Sequence, residues 1–278
     1  MTIFARYIYY AYLPVDIMHI SINYLGLDRG MRKLIFYKVY CLKGFIMASL
    51  PHLRLVYFKM RALAETAQMM LHYGNVPYSY EMAWNYFGKP WPEVKPTVAY
   101  KQLPLLVVDN ETIITQSGAI VRFLAPLTGT MPEDTLLAAK VDAAFEATQA
   151  MFTPLNPTIN FAVGDGFIKK RDGLMKGLLS QLDDFERLLN NSSDGDFMFG
   201  TTPFYCDFGA YHHISLALML DENLLADFPA IETMMQAVEG LNGVKAYLDS
   251  RPELIGVGTK PQMVINGVAV PTGVMADA

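Results

Sequence analysis

The stretch "YKQLPLLVVDNETIITQSGAIVRFLA", residues 100–125, decides how the chain is read. "LPLLVVD" is an apolar run of strand length, Asp109-Asn110 is a turn pair, and "TIITQ" is a second, β-branched run. "SGAIVRFLAPL" then carries apolar residues at helical spacing. The order is strand, turn, strand, helix, with two features left over. Pro104 stands at the start of the first strand. A proline there takes either the trans form of a strand edge, the commoner on local sequence, or the rarer cis form. A cis bond would turn the backbone of Leu103 outward, free to pair with an extended peptide. The second feature is Gln116-Ser117, at the start of the helix. Ser117 is a natural N-cap, the simpler local reading. A helix start also attracts a carboxylate, through its free N–H groups and its dipole.

Working upstream, "LRLVYF" from Leu53 reads as a buried strand and "RALAETAQMMLHYG" as a helix from about Arg61 that stops at Gly74. "VPYSYEMAW" reads as a second strand and "GKPWPEVKPT" as a proline-rich loop. The sequence β-α-β-loop-β-β-α is the thioredoxin-like arrangement, and it fills residues 49–128. Downstream of Gly129 strand patterns vanish. "EDTLLAAKVDAAFEATQAMFTPL", "KKRDGLMKGLLSQLDDFERLLNN", "YCDFGAYHHISLALML" and "PAIETMMQAVEGLNGVKAYLDSR" all carry helical spacing, and "NSSDGD" reads as a turn between helices. The predicted fold class is therefore α/β plus all-α: a thioredoxin-like domain followed by an all-helical domain over residues 129–255. Residues 256–278, rich in Gly and Pro, read as an extended tail lying against the helices. Residues 1–48 read as an extension outside the main fold, since "MASLPHLRLVYF" from Met47 has the look of a domain start. Pro14, Asp16, His19 and Asn23 interrupt the apolar run in that extension, so it matches neither a spanning helix nor a secretory signal.

The 278 residues are 52% hydrophobic with a formal net charge of −5. That supports a sizeable core and, with no basic block interleaved with aromatics, argues against nucleic acid as a partner. The two cysteines, Cys41 and Cys206, form neither a CxxC pair nor a metal cluster. A reducing compartment such as the cytoplasm is expected, with no metal. His212-His213 lacks a third ligand at suitable spacing and reads as helix packing or surface. Asp207 reads as a buried structural acid, with Thr202-Pro203 as the candidate cap of its helix. Tyr57 closes the first strand where a thiol oxidoreductase would carry a cysteine; its absence excludes thiol–disulfide exchange at that turn.

Tyr57 after the first strand, Pro104 before the third, and Gln116-Ser117 opening the next helix stand in one order, followed by an all-helical half. In that order the chain resembles the cytosolic glutathione transferases. "LVYFKMRALAE" and "WPEVKPTVAYKQLPLLVVD…TQSGAIVRFLA" are most similar to the sigma class, that of the haematopoietic prostaglandin D synthases. The resemblance spans about 200 residues. It implies a transferase that joins glutathione, as co-substrate, to hydrophobic electrophiles, working as a cytoplasmic homodimer in detoxification. Other readings are a glutathione-dependent isomerase or peroxidase, or a non-catalytic relative of structural role.

By this resemblance Tyr57 is the catalytic residue, donating a hydrogen bond to the glutathione sulfur. Gln116 and Ser117 hold the γ-glutamyl end. Leu103, before Pro104, pairs with the cysteinyl backbone. Trp91 and Lys95 hold the glycyl end, and Glu146 reaches the α-amino group from the partner subunit. Phe58, Met60, Phe152 and Phe161 are the implied walls for the hydrophobic substrate. One departure matters: the family's usual R-G-R-A-E here reads Arg61-Ala62-Leu63-Ala64-Glu65. Leu63 replaces an arginine near the sulfur, which argues against the prostaglandin isomerase.

Overall fold

The structure, a computed structural model, describes residues 50–191 and 195–273. The expected N-terminal extension, residues 192–194 of the expected "NSSDGD" turn and residues 274–278 of the tail lie outside the described residues. In the first half β1 (Leu53–Tyr57) pairs in parallel with β2 (Tyr78–Met82), joined by α1 (Glu65–Tyr73). The strands β3 (Leu105–Val108) and β4 (Thr112–Thr115) form the expected hairpin, and β3 runs antiparallel to β1. The sheet order is β2-β1-β3-β4. Central strands β1 and β3 are nearly continuous apolar runs and are buried. Edge strands β2 and β4 carry Ser, Glu and Thr and are partly exposed, as their single neighbour dictates. The hairpin turns on Asp109-Asn110, both left-handed (φ 54° and 60°), which suits the twist of the flanking strands. Asp109 also clasps the start of β1: its N–H donates to the His52 carbonyl at 2.9 Å and its carboxylate accepts from His52 N–H at 2.8 Å.

Helix α4 (Ser117–Thr128) follows β4 and shares one core with α1, built from Leu55, Leu106, Met69, Met70, Ile120 and Leu124. The expected second strand ends at Met82, and the last two residues expected in it open the short helix α2 (Ala83–Phe87); the expected proline-rich loop contains α3 (Trp91–Val94), with Pro92 in its first turn. Helix α1 begins at Glu65, later than sequence suggests, and leaves residues 58–64 as an irregular segment.

The second half is built on α5 (Thr135–Asn160) and α7 (Tyr205–Leu218), with α6 (Gly164–Asn190), α8 (Pro229–Gly240) and α9 (Val244–Ser250) around them. Asp134 caps α5, accepting from Leu137 N–H at 2.7 Å. Helix α7 is almost wholly buried. Its first turn is held by Asp207, whose carboxylate accepts from Phe204 N–H at 2.8 Å and Met198 N–H at 2.9 Å. Phe204 is the N-cap position, so the expected cap at Thr202 is not formed. The carboxylate at the third helical position does the work that a hydroxyl would have done. The last expected helix is two, α8 and α9, parted at 241–243. Gly243 takes φ 78°, and a Cβ there would lie 2.2 Å from the His72 carbonyl oxygen, so the break lets the chain close against the end of α1.

Two expectations for the C-terminal region are corrected. Strands do return after Gly129, and the tail is not simply extended: β5 (Glu253–Ile255), β6 (Gln262–Ile265) and β7 (Val268–Pro271) form an antiparallel meander. Leu254 and Met263 pack on Ile159 of α5 and Leu216 of α7. Gly164 N–H donates to Gly258 O at 2.9 Å, and the Thr272 hydroxyl donates to Asn160 O at 2.6 Å. Gly273 N–H donates to Lys59 O at 3.2 Å, so the meander touches both halves. The halves also meet in an ion pair between Glu65 at the start of α1 and Arg251 at the end of α9, with side chains only 5% and 11% exposed.

Candidate active site

Tyr57 ends β1 at the centre of the sheet and is 3% exposed. Its ring lies 5.3 Å from that of Phe58. The phenol oxygen accepts a hydrogen bond from Leu63 N–H at 3.4 Å, within the irregular segment 58–64. Its own proton has no acceptor among the described residues. Burial pushes the Tyr57 pKa up, against the smaller pull of the Leu63 N–H. The group is therefore a protonated donor through the physiological range and not a base. A buried hydroxyl with an unclaimed proton is uncommon in a folded protein, because buried polar groups are normally paired.

The Leu103–Pro104 bond is cis, against the local preference for trans. Among the described residues, neither the N–H nor the C=O of Leu103 bonds to another backbone group. Gln116 takes φ 69° and ψ 121° and is itself the N-cap position of α4, a backbone region that costs a non-glycine residue on the order of 1–3 kcal/mol. Its side-chain amide reaches only Gln102, at 3.4 Å. Ser117 stands one position inside the helix, half-buried, and makes no capping bond. The simpler reading of Ser117 as a cap is thereby corrected: among the described residues no side chain caps the first N–H groups of α4.

Trp91 opens α3 and is buried, edge-on to Phe58 with ring centroids 5.3 Å apart. Lys95 is exposed and ends α3. Trp91 thus touches the same aromatic cluster as Tyr57, through Phe58. Glu146 on α5 pairs with Arg122 of α4 within the chain. Arg122 also binds Asp142 at 2.7 Å, which in turn accepts from the Tyr205 hydroxyl at 2.9 Å. The Arg122 hydrogen bond holds Asp142 below the usual carboxylate range.

Of the expected hydrophobic walls, Phe58 and Met60 line one cavity of about 240 Å³. Phe152 does not line it and packs against His213 at 5.6 Å. Phe161 ends α5 and is 48% exposed. A larger cavity, about 830 Å³, lies between α5, α6 and the segment before α7 and contains none of the expected residues. His212 and His213 are both buried, with ring centroids 4.9 Å apart, as packing residues. Among the described residues none of their four ring nitrogens makes a hydrogen bond of good geometry, although backbone groups of Ala62 and Gly209 lie close to the rings. No group of three or more His, Cys, Asp or Glu able to hold a metal occurs among the described residues, and no helix there is long and apolar enough to cross a membrane. Sequence reasoning treated Leu63 only as a lost charge. Its role here is its backbone N–H, which side-chain identity does not announce.

Residues 58–130 match the family described as glutathione S-transferase, N-terminal domain, and residues 169–251 match its C-terminal domain. A relative named probable glutathione S-transferase 6, from Caenorhabditis elegans, is 28% identical over 206 residues, covering 73% of this chain and 98% of the relative. The hematopoietic prostaglandin D synthase of Gallus gallus is also 28% identical, over 208 residues, 73% of this chain and 98% of the relative. Among solved structures, a pi-class glutathione S-transferase of Onchocerca volvulus superposes with a TM-score of 0.62 at 25% identity, over 72% of this chain and 93% of that one. These likenesses cross classes, so they carry the family and do not single out the sigma class. With both domains matched in order over more than half its length, on a thioredoxin-like half followed by a helical half, the chain belongs to the glutathione S-transferase family.

Proposed function

We propose that the protein is a glutathione transferase, joining the glutathione sulfur to hydrophobic electrophiles. The observation that carries this reading is the Tyr57 hydroxyl: buried, polarised by the Leu63 N–H, and with its proton unclaimed. A free thiol has a pKa of about 8.5, so little thiolate exists at neutral pH. A donor aimed at the sulfur favours the anion and lowers that pKa. The thiol proton leaves to solvent, the sulfur lone pair forms a bond to an electrophilic carbon, and a halide or similar group departs with its bonding pair. Because Tyr57 stays protonated, it stabilises the thiolate without taking its proton.

In this reading the remaining residues hold the tripeptide. The Leu103 backbone, bonded to no other backbone group among the described residues, supports pairing with the cysteinyl unit. The uncapped start of α4, with Gln116 and Ser117, suits the γ-glutamyl carboxylate. Trp91 and Lys95 take the glycyl end, Lys95 as a point charge. Glu146 takes the α-amino group of glutathione bound to the other subunit of a cytoplasmic homodimer; for this it must divide its charge between that amine and Arg122. Phe58 and Met60 wall the electrophile; Phe152, packed on His213, and the exposed Phe161 are not part of that wall. With Leu63 supplying no charge, conjugation is favoured over the isomerase reading, and no observation favours a peroxidase.

The test is Tyr57→Phe. A hydrogen bond to a charged group is worth about 1.5–3 kcal/mol, or roughly one to two pKa units. Ultraviolet absorbance of the bound thiolate should therefore titrate one to two units higher in the variant, and turnover of an aryl halide at neutral pH should fall tenfold or more. Retention on immobilised glutathione should persist. Glutathione binding without aryl-halide turnover in the unmodified protein would instead favour the non-catalytic reading.

A further inference from the structure

We infer that Asn160, the last residue of α5, is a positioning residue: from the helical half it sets the Leu63 N–H against the Tyr57 hydroxyl. The catalytic consequence rests on the proposed transferase activity; the placement of the N–H does not. Leu63 lies in the irregular segment 58–64, so no helix or strand fixes where its N–H points. At 3.4 Å its bond to the phenol oxygen is long, and a small movement of the segment would break it. An N–H given to that oxygen polarises the phenol and makes its own proton a better donor. Whatever holds residues 61–63 therefore sets the strength of that donor.

The Asn160 side-chain amide donates to the Arg61 carbonyl oxygen at 3.4 Å, two residues before Leu63. It also donates to the Asn156 side-chain oxygen at 3.1 Å, one turn back on α5. The backbone of Asn160 is held in turn, its carbonyl accepting from the Thr272 hydroxyl of the meander at 2.6 Å. The Tyr80 hydroxyl fixes the start of the segment, donating to Phe58 O at 2.7 Å, and the Glu65 N–H, donating to Ala62 O at 3.0 Å, fixes its end. Asn160 ties the middle to the helical half. An asparagine is ordinarily exposed, yet Asn160 is 1% exposed, and its Oδ1 has no hydrogen-bond partner among the described residues. A buried unpaired acceptor costs stability, and an apolar side chain of the same size would remove that cost. What the amide gives against that cost is its hold on Arg61, and through the next two residues on the Leu63 N–H.

The experiment compares the full chain with Asn160→Leu, which keeps the size of the side chain and removes the amide. Without glutathione, amide hydrogen exchange at Leu63 should be about tenfold faster in the variant, with the β3 amides unchanged. With glutathione bound, the thiolate absorbance should titrate about half a unit to one unit higher, roughly a three- to tenfold loss of thiolate at neutral pH. The kcat for an aryl halide should fall by the same factor, and the KM for glutathione should hold. In a Tyr57→Phe background Asn160→Leu should shift the titration no further, which a merely structural role would not produce. Where leucine unfolds the chain, Asn160→Ala removes the same donor without bulk and carries the same expectations. The inference is overturned if Leu63 exchange is unchanged, if the titration stays put in a parent chain that lowers the thiol pKa, or if it moves equally with and without Tyr57. A parent chain that binds glutathione without lowering its thiol pKa sinks the transferase reading alone, and Leu63 exchange then decides whether Asn160 places the N–H.

Discussion

Asp207 and Tyr57 show opposite uses of a buried polar side chain. The Asp207 carboxylate is fully buried and committed to two backbone N–H groups, while burial raises its pKa to about 6. Asp207→Ala leaves both N–H groups buried and unpaired, at about 1–3 kcal/mol each. The variant should lose about 2–4 kcal/mol of unfolding free energy in urea titrations, part of the loss being offset by relief of the buried charge. Tyr57, by contrast, keeps its proton uncommitted. Sequence singled out both residues, Asp207 as a structural acid by its place near a helix start, and Tyr57 as a donor through the family resemblance, the role proposed for it. It misjudged their surroundings. The Asp207 cap partner was sought in a hydroxyl at Thr202, and the Tyr57 partner is a backbone N–H at Leu63, a group every non-proline residue carries. Cis against trans at Pro104 was likewise beyond local sequence, since the two forms differ by only about 0.5–1 kcal/mol before tertiary contacts act.

At the level of elements, the strands and helices of the first half were legible because their apolar periods are clean. The meander was not, although a signal was present: Asn266-Gly267 sits between "MVI" and "VAV", the strongest short hairpin signature. Both residues adopt left-handed backbone there (φ 51° and 79°). The surrounding Gly and Pro residues read as loop and masked it. The α8–α9 break was missed for another reason: "EGLNGVK" continues a helical period, and only the approach to His72 requires the kink. Gly243→Ala therefore combines a left-handed backbone with a Cβ 2.2 Å from a carbonyl oxygen that cannot move aside. A loss of at least about 2 kcal/mol is expected, read as a lower urea midpoint with an unchanged slope.

Across the whole molecule, acid should be the sensitive variable. Burial lowers the pKa of His212 to about 3, with Arg251 and Arg61 adding to the effect; burial and then His212 lower His213 further below its ordinary value. Both are neutral in the folded state, so the unfolded chain binds more protons once the pH falls below about 6.5. Asp207 runs the other way: its raised pKa favours the folded state at low pH, and that contribution fades as pH rises through about 6. His212 and His213, with burial shifting His72 in the same direction, against one carboxylate leave a net uptake of at least about one proton on unfolding between pH 6 and 4.5. Unfolding free energy should drop by at least about 1.4 kcal/mol per pH unit in that window. Urea midpoints across pH test it, and His212→Leu should flatten the profile.

The ion pair between Glu65 and Arg251 has a consequence for recombination. Each partner belongs to a different half, and stripping one from a buried pair costs about 3–5 kcal/mol. The halves are therefore not interchangeable modules. A chimera that grafts a relative's helical half onto this thioredoxin-like half has to import an arginine at the matching helix end, or it inherits a bare carboxylate at the seam.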